Sequence, residues 1–278
     1  MTYRDAITWL YGTQWHGIKL GLENMRRLAA ALGLSPVSTA RTHFVHVAGT
    51  NGKGSTCAMI ASICEAAGKK TALFTSPHLV TFRERIQING ELVPEQEVAR
   101  GLSLLRELIR DWEHSPTFFE LTTALALSWF QEREAEIVVL ETGMGGRLDA
   151  TNIVYPSVSV LTSIDIDHQQ WLGQTIAEIA IEKAGVIKPR VPVVSAPQHA
   201  KAVLRIDLDR HIQKTAPNLL RLAIQFERDV GAGLARDDRK TADQRQVPVL
   251  VRTRHVFGIP IRKPGSSQPV LEIVKTLG

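Results

Sequence analysis

The chain has 278 residues, 44% of them hydrophobic and 22% charged, the make-up of a globular protein with a real core. No apolar run approaches the ~18 residues a membrane-spanning helix needs, and the first residues lack the basic, apolar, small-residue order of a secretory signal, so no membrane and a cytoplasmic location are expected. The net charge of +5 is uneven: residues 1–200 hold 18 Lys+Arg against 20 Asp+Glu, and residues 201–278 hold 15 against 8. No aromatic-rich basic platform or zinc spacing accompanies the basic end, so no nucleic-acid partner is expected.

Residues 5–32 read as helical, with Ile7, Leu10, Leu22, Met25, Leu28, Ala29 and Leu32 at helical spacing and a break around Gly12–Gly17. Gly33 and Pro36 supply a stop. Phe44-Val45-His46-Val47-Ala48 reads as a buried strand, Gly49–Ser55 as a tight glycine-rich turn, and Thr56–Ala67 as a helix ending at Gly68. Cys57 and Cys64 stand seven apart on that helix. That is about two turns, roughly 10 Å, and a disulfide needs Cα atoms within about 7 Å; two buried thiols are expected. Strands follow at Thr71–Thr75 and Arg85–Ile88, the latter ending in the Asn89-Gly90 turn. Helices are expected over 95–112 and 118–132, a strand at Ile137–Glu141, a second glycine-rich loop at Gly143–Gly146, a strand at Ser157–Thr162, a helix over 174–184 and a strand at Pro192–Ser195. Beyond Leu204 the pattern decays. Gly231–Gln246 is polar and aperiodic, and short strands are expected at Pro248–Arg252 and Val270–Val274.

Strands alternating with helices predict an α/β fold, a mostly parallel sheet with helices on both faces. Ligands of such sheets collect at the carboxyl ends of the strands. The chemistry-bearing segments all follow predicted strands.

The strongest signal is Val47-Ala48-Gly49-Thr50-Asn51-Gly52-Lys53-Gly54-Ser55-Thr56. Strand, glycine turn and helix start come in the order a phosphate cradle requires, with backbone N–H groups and a helix N-terminus facing the anion. Lys53 would meet the β and γ phosphates of a nucleotide, and the Ser55 hydroxyl would meet magnesium. The commoner phosphate loop has glycine where this chain has Val47, and Ser or Thr where it has Gly54; the form here is shorter. The bland alternative is a glycine turn with a solvated lysine.

Glu141 ends a buried strand beside that loop and is placed to hold magnesium directly or through water. Asp149, in the loop that follows, has as its bland alternative a carboxylate that only caps a turn. His168, in Asp165-Ile166-Asp167-His168, reads by itself as a surface histidine, Glu182-Lys183 as a solvated helix end, and Thr75-Ser76-Pro77-His78-Leu79 as a Ser-Pro turn followed by the exposed charges Arg83, Glu84 and Arg85.

A resemblance sharpens these readings. His46–Thr56 is close to the signature of the folylpolyglutamate/dihydrofolate synthases, a branch of the Mur ligase superfamily that uses this shorter phosphate loop, and Gly17-Ile18-Lys19-Leu20-Gly21-Leu22-Glu23 resembles their upstream segment. Leu140-Glu141-Thr142-Gly143-Met144-Gly145-Gly146-Arg147-Leu148-Asp149-Ala150-Thr151-Asn152 is similar to their second signature. The resemblance implies a P-loop-containing, Mur-ligase-type central domain that binds ATP and Mg2+. Gly49, Thr50, Asn51, Gly52, Lys53, Gly54, Ser55 and Thr56 would hold the nucleotide. Ser55, Glu141 and His168 would hold the metal, although imidazole is an unusual magnesium ligand. Lys183 matches a lysine often carbamylated in the superfamily, which would join Lys53 and His168 in catalysis. Asp149 matches a position associated with the pterin substrate, and His78, Arg83 and Arg85 lie in a segment similar to a loop that closes on that substrate, the arginines suiting a carboxylate.

The implied reaction is addition of L-glutamate to dihydropteroate or to folate polyglutamate tails through an acyl phosphate, by a monomer. The resemblance covers roughly residues 5–200. It implies an ATP-binding domain over 1–204, with its N-terminal helical segment 5–32, followed by an atypical basic tail over 205–278. Family members usually carry a further, Rossmann-like ligase domain, whose His-Gln…Asn-Ala segment does not occur here. A truncated or frame-shifted product is therefore expected. Two further readings stay open: a non-catalytic MgATP-binding fragment, and another Mur-type ligase of cell-wall synthesis.

Overall fold

The computed structural model describes residues 1–16, 21–36, 41–199 and 202. Gly17–Leu20 and the expected tail over 205–278, with its two short strands, lie outside the described residues.

The order of elements follows the alternation in the sequence. Helices α1 (Tyr3–Gly12) and α2 (Glu23–Ala31) precede strand β1 (His43–Ala48), helix α3 (Lys53–Ala66) and strand β2 (Thr71–Phe74). Strands β3 (Ile86–Ile88) and β4 (Glu91–Leu92) form a hairpin, followed by α4 (Glu95–Leu108), α5 (Phe118–Glu132) and β5 (Ile137–Glu141). Then come β6 (Val158–Leu161), α6 (Gln169–Leu172), α7 (Ile176–Ala184) and β7 (Val193–Ser195). The hairpin turn is Asn89-Gly90, with φ of 50° and 74°, the left-handed pair that matches strand twist in a tight turn.

The strands form one sheet in the order β4-β3-β2-β5-β1-β6-β7. β2, β5, β1, β6 and β7 run parallel, and β3 and β4 add an antiparallel edge. The chain leaves β1 for β2 in one direction and β5 for β6 in the other, so their crossovers part above the centre of the sheet. This is the switch point where open α/β sheets bind ligands. The loops after β2, β5, β1 and β6 emerge side by side along one edge.

Both faces are covered, and unequally. Phe44, Ala72, Phe74, Val138 and Leu140 pack on one face with buried residues of α1, α2, α4 and α5, and Ala48 and Leu161 continue that face under α7. Among the described residues, the opposite face presents Val45, Val47, Leu73, Ile137, Val139 and Val160 to α3, through Cys57 and Ala61. The parallel strands are apolar on both sides, as sheets covered twice require. Cys57 is buried and Cys64 only half-buried, and both are free thiols, so the expectation of two buried thiols holds for the first alone. Cys64 sits two turns further along α3, near its end, and packs only partly against the sheet.

Helix starts are set by local chemistry. α1, α5 and α7 each begin at a threonine whose hydroxyl accepts the third backbone N–H, while an acid at that third position returns to the threonine: Thr2 with Asp5, Thr117 with Glu120 and Thr175 with Glu178. α3 has no such cap: Gly52 precedes it with φ 80°, a conformation that glycine adopts without strain.

Candidate active site

The loop from Gly49 to Gly52 is anchored from below. Thr50 N–H donates to the Ser163 carbonyl at 2.8 Å, and the Thr50 hydroxyl and the Asp165 backbone exchange hydrogen bonds at 3.0 Å. Asn51 pairs with Ser163 as an isolated antiparallel bridge. These bonds tie the loop after β1 to the loop after β6. The first amide taken up by the helix is that of Thr56, which donates to Gly52 at 3.0 Å. The N–H groups of Lys53, Gly54 and Ser55 find no acceptor among the described residues. Three aligned donors at the positive end of a 14-residue helix form a ready anion site. Lys53 adds an ammonium whose one bond is to the Thr50 carbonyl at 3.3 Å.

Glu141 stands next to these amides. A Cβ added to Gly54 would lie 3.5 Å from Glu141 Oε2, so the carboxylate rests against the bare backbone of the first helical turn. Glu141 is buried, and Oε2 accepts from Ser76 N–H at 2.9 Å. Burial raises its pKa, opposed by the Ser76 bond and by the charges of Lys53 and Arg85. A buried carboxylate beside an uncapped helix start fits magnesium, which takes few protein ligands and completes its shell with phosphates and water. Ser55 is exposed at the same helix end. No cluster of three or more His, Cys, Asp or Glu side chains gathers as a metal site among the described residues. His168 adopts φ 47°, half its side chain is exposed, and its Nε2 lies 3.6 Å from Asp167.

Lys183 differs most from its reading as a solvated helix end. It is 1% exposed, and its Nζ donates to the Gly49 carbonyl at 2.8 Å. Burial lowers its pKa to about 8, with the Lys53 charge adding to the fall and Asp167 and Asp149 opposing it. Only the docking of α7 onto the phosphate loop buries it; no local pattern in Glu182-Lys183 foretells this.

The loop after β5 is internally committed. Asp149 is buried; its Oδ2 accepts from Met144 N–H at 2.9 Å and its Oδ1 from the Thr151 N–H and hydroxyl. His46 Nε2 lies 2.8 Å from the same Thr151 hydroxyl. Desolvation holds His46 neutral, its pKa lowered to about 3. Asp149 therefore caps the turn that follows, the bland alternative of its sequence reading. Arg147 pairs with Glu182, backbone to backbone at 2.7 Å and side chain to side chain at 2.6 Å, which ties the loop to α7.

On the β2 side the two arginines part company. Arg83 Nε donates to the Val93 carbonyl at 2.6 Å and the side chain faces Glu95, so it braces the hairpin rather than the central loops. Arg85 is buried and donates to His78 Nδ1 at 2.7 Å. Glu84 accepts the N–H groups of Leu79, Val80 and Thr81, and pins a loop whose tip, Leu79 and Val80, is about 90% exposed. Sequence reasoning missed Ser76 as the donor to Glu141, His46 as a buried support, and Tyr11, whose phenol reaches His78 at 3.1 Å. His46 reads as one more member of an apolar strand, and Tyr11 as a helix residue far away in the chain.

The family model for the Mur ligase middle domain matches residues 47–265. The chain belongs to the Mur ligase family. The match begins at the phosphate loop and runs past residue 204, where the sequence reading ends the domain. A dihydrofolate synthase/folylpolyglutamate synthase of Bacillus subtilis is 44% identical over 216 residues, which are 75% of this chain and 50% of that protein. A solved folylpolyglutamate synthase of Thermotoga maritima superposes with a TM-score of 0.68 at 37% identity, over 77% of this chain and 48% of that one. An E. coli FolC solved in complex with DHPP and ADP gives a TM-score of 0.66 at 38% identity, over 74% and 49% of the two chains. This Mur ligase chain thus spans about half the length of these relatives. No helix among its described residues is long and apolar enough to cross a membrane.

Proposed function

We propose that this chain binds MgATP at the β1–α3 loop and serves an ATP-dependent ligase that joins L-glutamate to dihydropteroate or to a folate glutamate tail. The observation that carries the reading is the uncapped start of α3, where three free amides and Lys53 face outward with the Glu141 carboxylate against Gly54. The names of the relatives support the substrate class.

In this reading the substrate carboxylate attacks the γ-phosphorus of ATP, ADP leaves, and an acyl phosphate forms. The amine of glutamate then attacks the acyl carbon; phosphate and a proton leave, and an amide remains. Positioning and charge neutralisation carry the first step. Lys53 and the amides of Lys53, Gly54 and Ser55 hold the terminal phosphates in line, and Arg85 receives the acid. Ser55, Glu141 and His168 would hold magnesium, which would neutralise phosphoryl charge.

Lys183 would act as a carbamate. With a pKa of about 8, roughly a tenth of its amine is neutral at pH 7. A neutral amine adds CO2 and releases one proton, and the product is an oxygen ligand suited to a hard metal. Asp149 would serve the substrate end by holding its loop. The protein would act as a cytoplasmic monomer.

Titration calorimetry with MgADP, followed by ADP release with dihydropteroate in the presence and absence of glutamate, tests the proposal. Micromolar nucleotide binding and glutamate-dependent release are expected. No magnesium-dependent nucleotide binding refutes it. Nucleotide binding without glutamate-dependent release would assign this chain the nucleotide-binding half of the reaction alone.

A further inference from the structure

Tyr11 ends α1, an element outside every glycine-rich motif, yet its side chain enters the substrate end of the site. Its hydroxyl lies 3.1 Å from His78 Nε2, while Arg85 Nε donates to His78 Nδ1 at 2.7 Å. The guanidinium Nε always carries hydrogen, so Nδ1 must be the acceptor. The ring proton of the neutral imidazole then sits on Nε2, and Nε2–H donates to the Tyr11 oxygen. Both ring nitrogens are used, and the ring is locked between the two partners.

Tyr11 and Arg85 share an aromatic floor, Phe118, and His78 meets Phe82 edge-on. Tyr11 stacks on Phe118 with centroids 5.4 Å apart, Arg85 Cζ lies 5.3 Å above that ring, and Phe82 meets it edge-on at 6.3 Å. Arg85 is only 8% exposed, yet its two terminal nitrogens donate to nothing among the described residues. It is close enough to Glu141 to feel its charge, but the hydrogen bond to Glu141 comes from Ser76. These nitrogens are not among the fully enclosed polar atoms, so the fork stays reachable, and it matches two oxygens of a carboxylate.

We propose that Tyr11 is a positioning residue: through His78 it holds the Arg85 guanidinium so that its free fork receives the carboxylate that is to be activated. The inference rests on the ligase reading above and adds to it a residue and a tautomer. It makes α1 part of the acid-recognition end. Tyr11 touches neither nucleotide nor reacting atoms; it acts by orienting Arg85.

The test compares dihydropteroate with its carboxamide, which keeps the ring system and lacks the anion, both titrated into the full chain in the presence of MgADP. Wild type should bind the acid at least about tenfold more tightly than the amide, and Arg85→Gln should abolish that preference. Tyr11→Phe keeps the stacked ring and removes the hydroxyl. It should cut the preference about fivefold by weakening the acid alone, with amide and MgADP affinities unchanged. Nitrogen-15 shifts of His78 should report a proton on Nε2 in wild type. Equal losses for acid and amide in Tyr11→Phe, an unchanged preference, or a proton on Nδ1 would overturn the proposal, as would a wild type with no preference. Failure of MgADP to bind wild type would instead defeat the ligase reading itself.

Discussion

The loops after β1 and β5 are both rich in glycine and lie on adjacent strands, yet apart from Gly49, whose added Cβ would strike the Thr162 hydroxyl, their glycines face different things. Around Gly52 and Gly54 the space is open or holds only the Glu141 carboxylate, and the amides beyond have no partners. A Cβ on Gly143 would strike the Phe119 ring at 2.5 Å, and one on Gly146 the Lys183 carbonyl oxygen at 2.6 Å. The second loop spends its glycines on close packing and most of its polar groups on itself, through Asp149 and Thr151, or on α7, through the Arg147–Glu182 pair; its Thr142 hydroxyl is buried without a partner among the described residues. On the proposed reading the unspent donors of the first loop receive the ligand, and the largely committed groups of the second form the frame that holds it. Lys183 joins the two, with its ammonium on Gly49 of the first loop and its carbonyl against Gly146 of the second.

That contrast breaks most sharply at Asp149. Asp149→Ala strands three donors, two of them buried, and should cost on the order of 3 kcal/mol in urea unfolding, while the protein that remains folded keeps its MgADP affinity. A variant of wild-type stability that loses ligand would move the second loop from frame to binding surface.

Lys183 makes the joint sensitive to pH. Its pKa is about 8 in the fold and 10.5 ordinarily. Below pH 8 both states carry the proton and the fold bears the full cost of burying it. Between about pH 8 and 10.5 the unfolded chain binds more protons, so stability should rise with pH, by up to about 3 kcal/mol. Urea midpoints across that window should climb more steeply for wild type than for Lys183→Met; equal slopes would mean that the ammonium is not buried.

Lys53→Ala should weaken MgADP at least about tenfold, or 1.4 kcal/mol, and leave the melting temperature unchanged, because Lys53 holds the fold by one long bond to Thr50. A large fall in melting temperature would make the first loop a frame as well. The smallest effect is expected at Arg83. Arg83→Ala should shift stability by no more than about 0.5 kcal/mol and leave acid and nucleotide affinities alone, since its bonds go to Val93 and Glu95.

Much of this was legible before any coordinates. The helix–strand alternation foretold a mostly parallel sheet, because burial on both faces writes continuous apolar runs such as Phe44–Ala48 and Ile137–Glu141. Gly52 and the Asn89-Gly90 turn declared positive φ through residue type. Lys53, Gly54 and Glu141 came together as expected because they follow or end strands, and parallel neighbours bring their carboxyl ends to one edge. Their ligand roles remain for the experiments above.

What the chain's own order of residues decided, then, was local: periodicity, caps, and a phosphate turn whose geometry needs only a few consecutive residues. Tertiary structure alone decided which polar groups would be spent. Lys183 is buried because α7 docks on Gly49, Asp149 is saturated because the chain turns back on it, and Tyr11 meets His78 across 67 residues. The physical reason is that desolvation and hydrogen-bond satisfaction depend on neighbours brought from distant segments, which no spacing within one segment encodes.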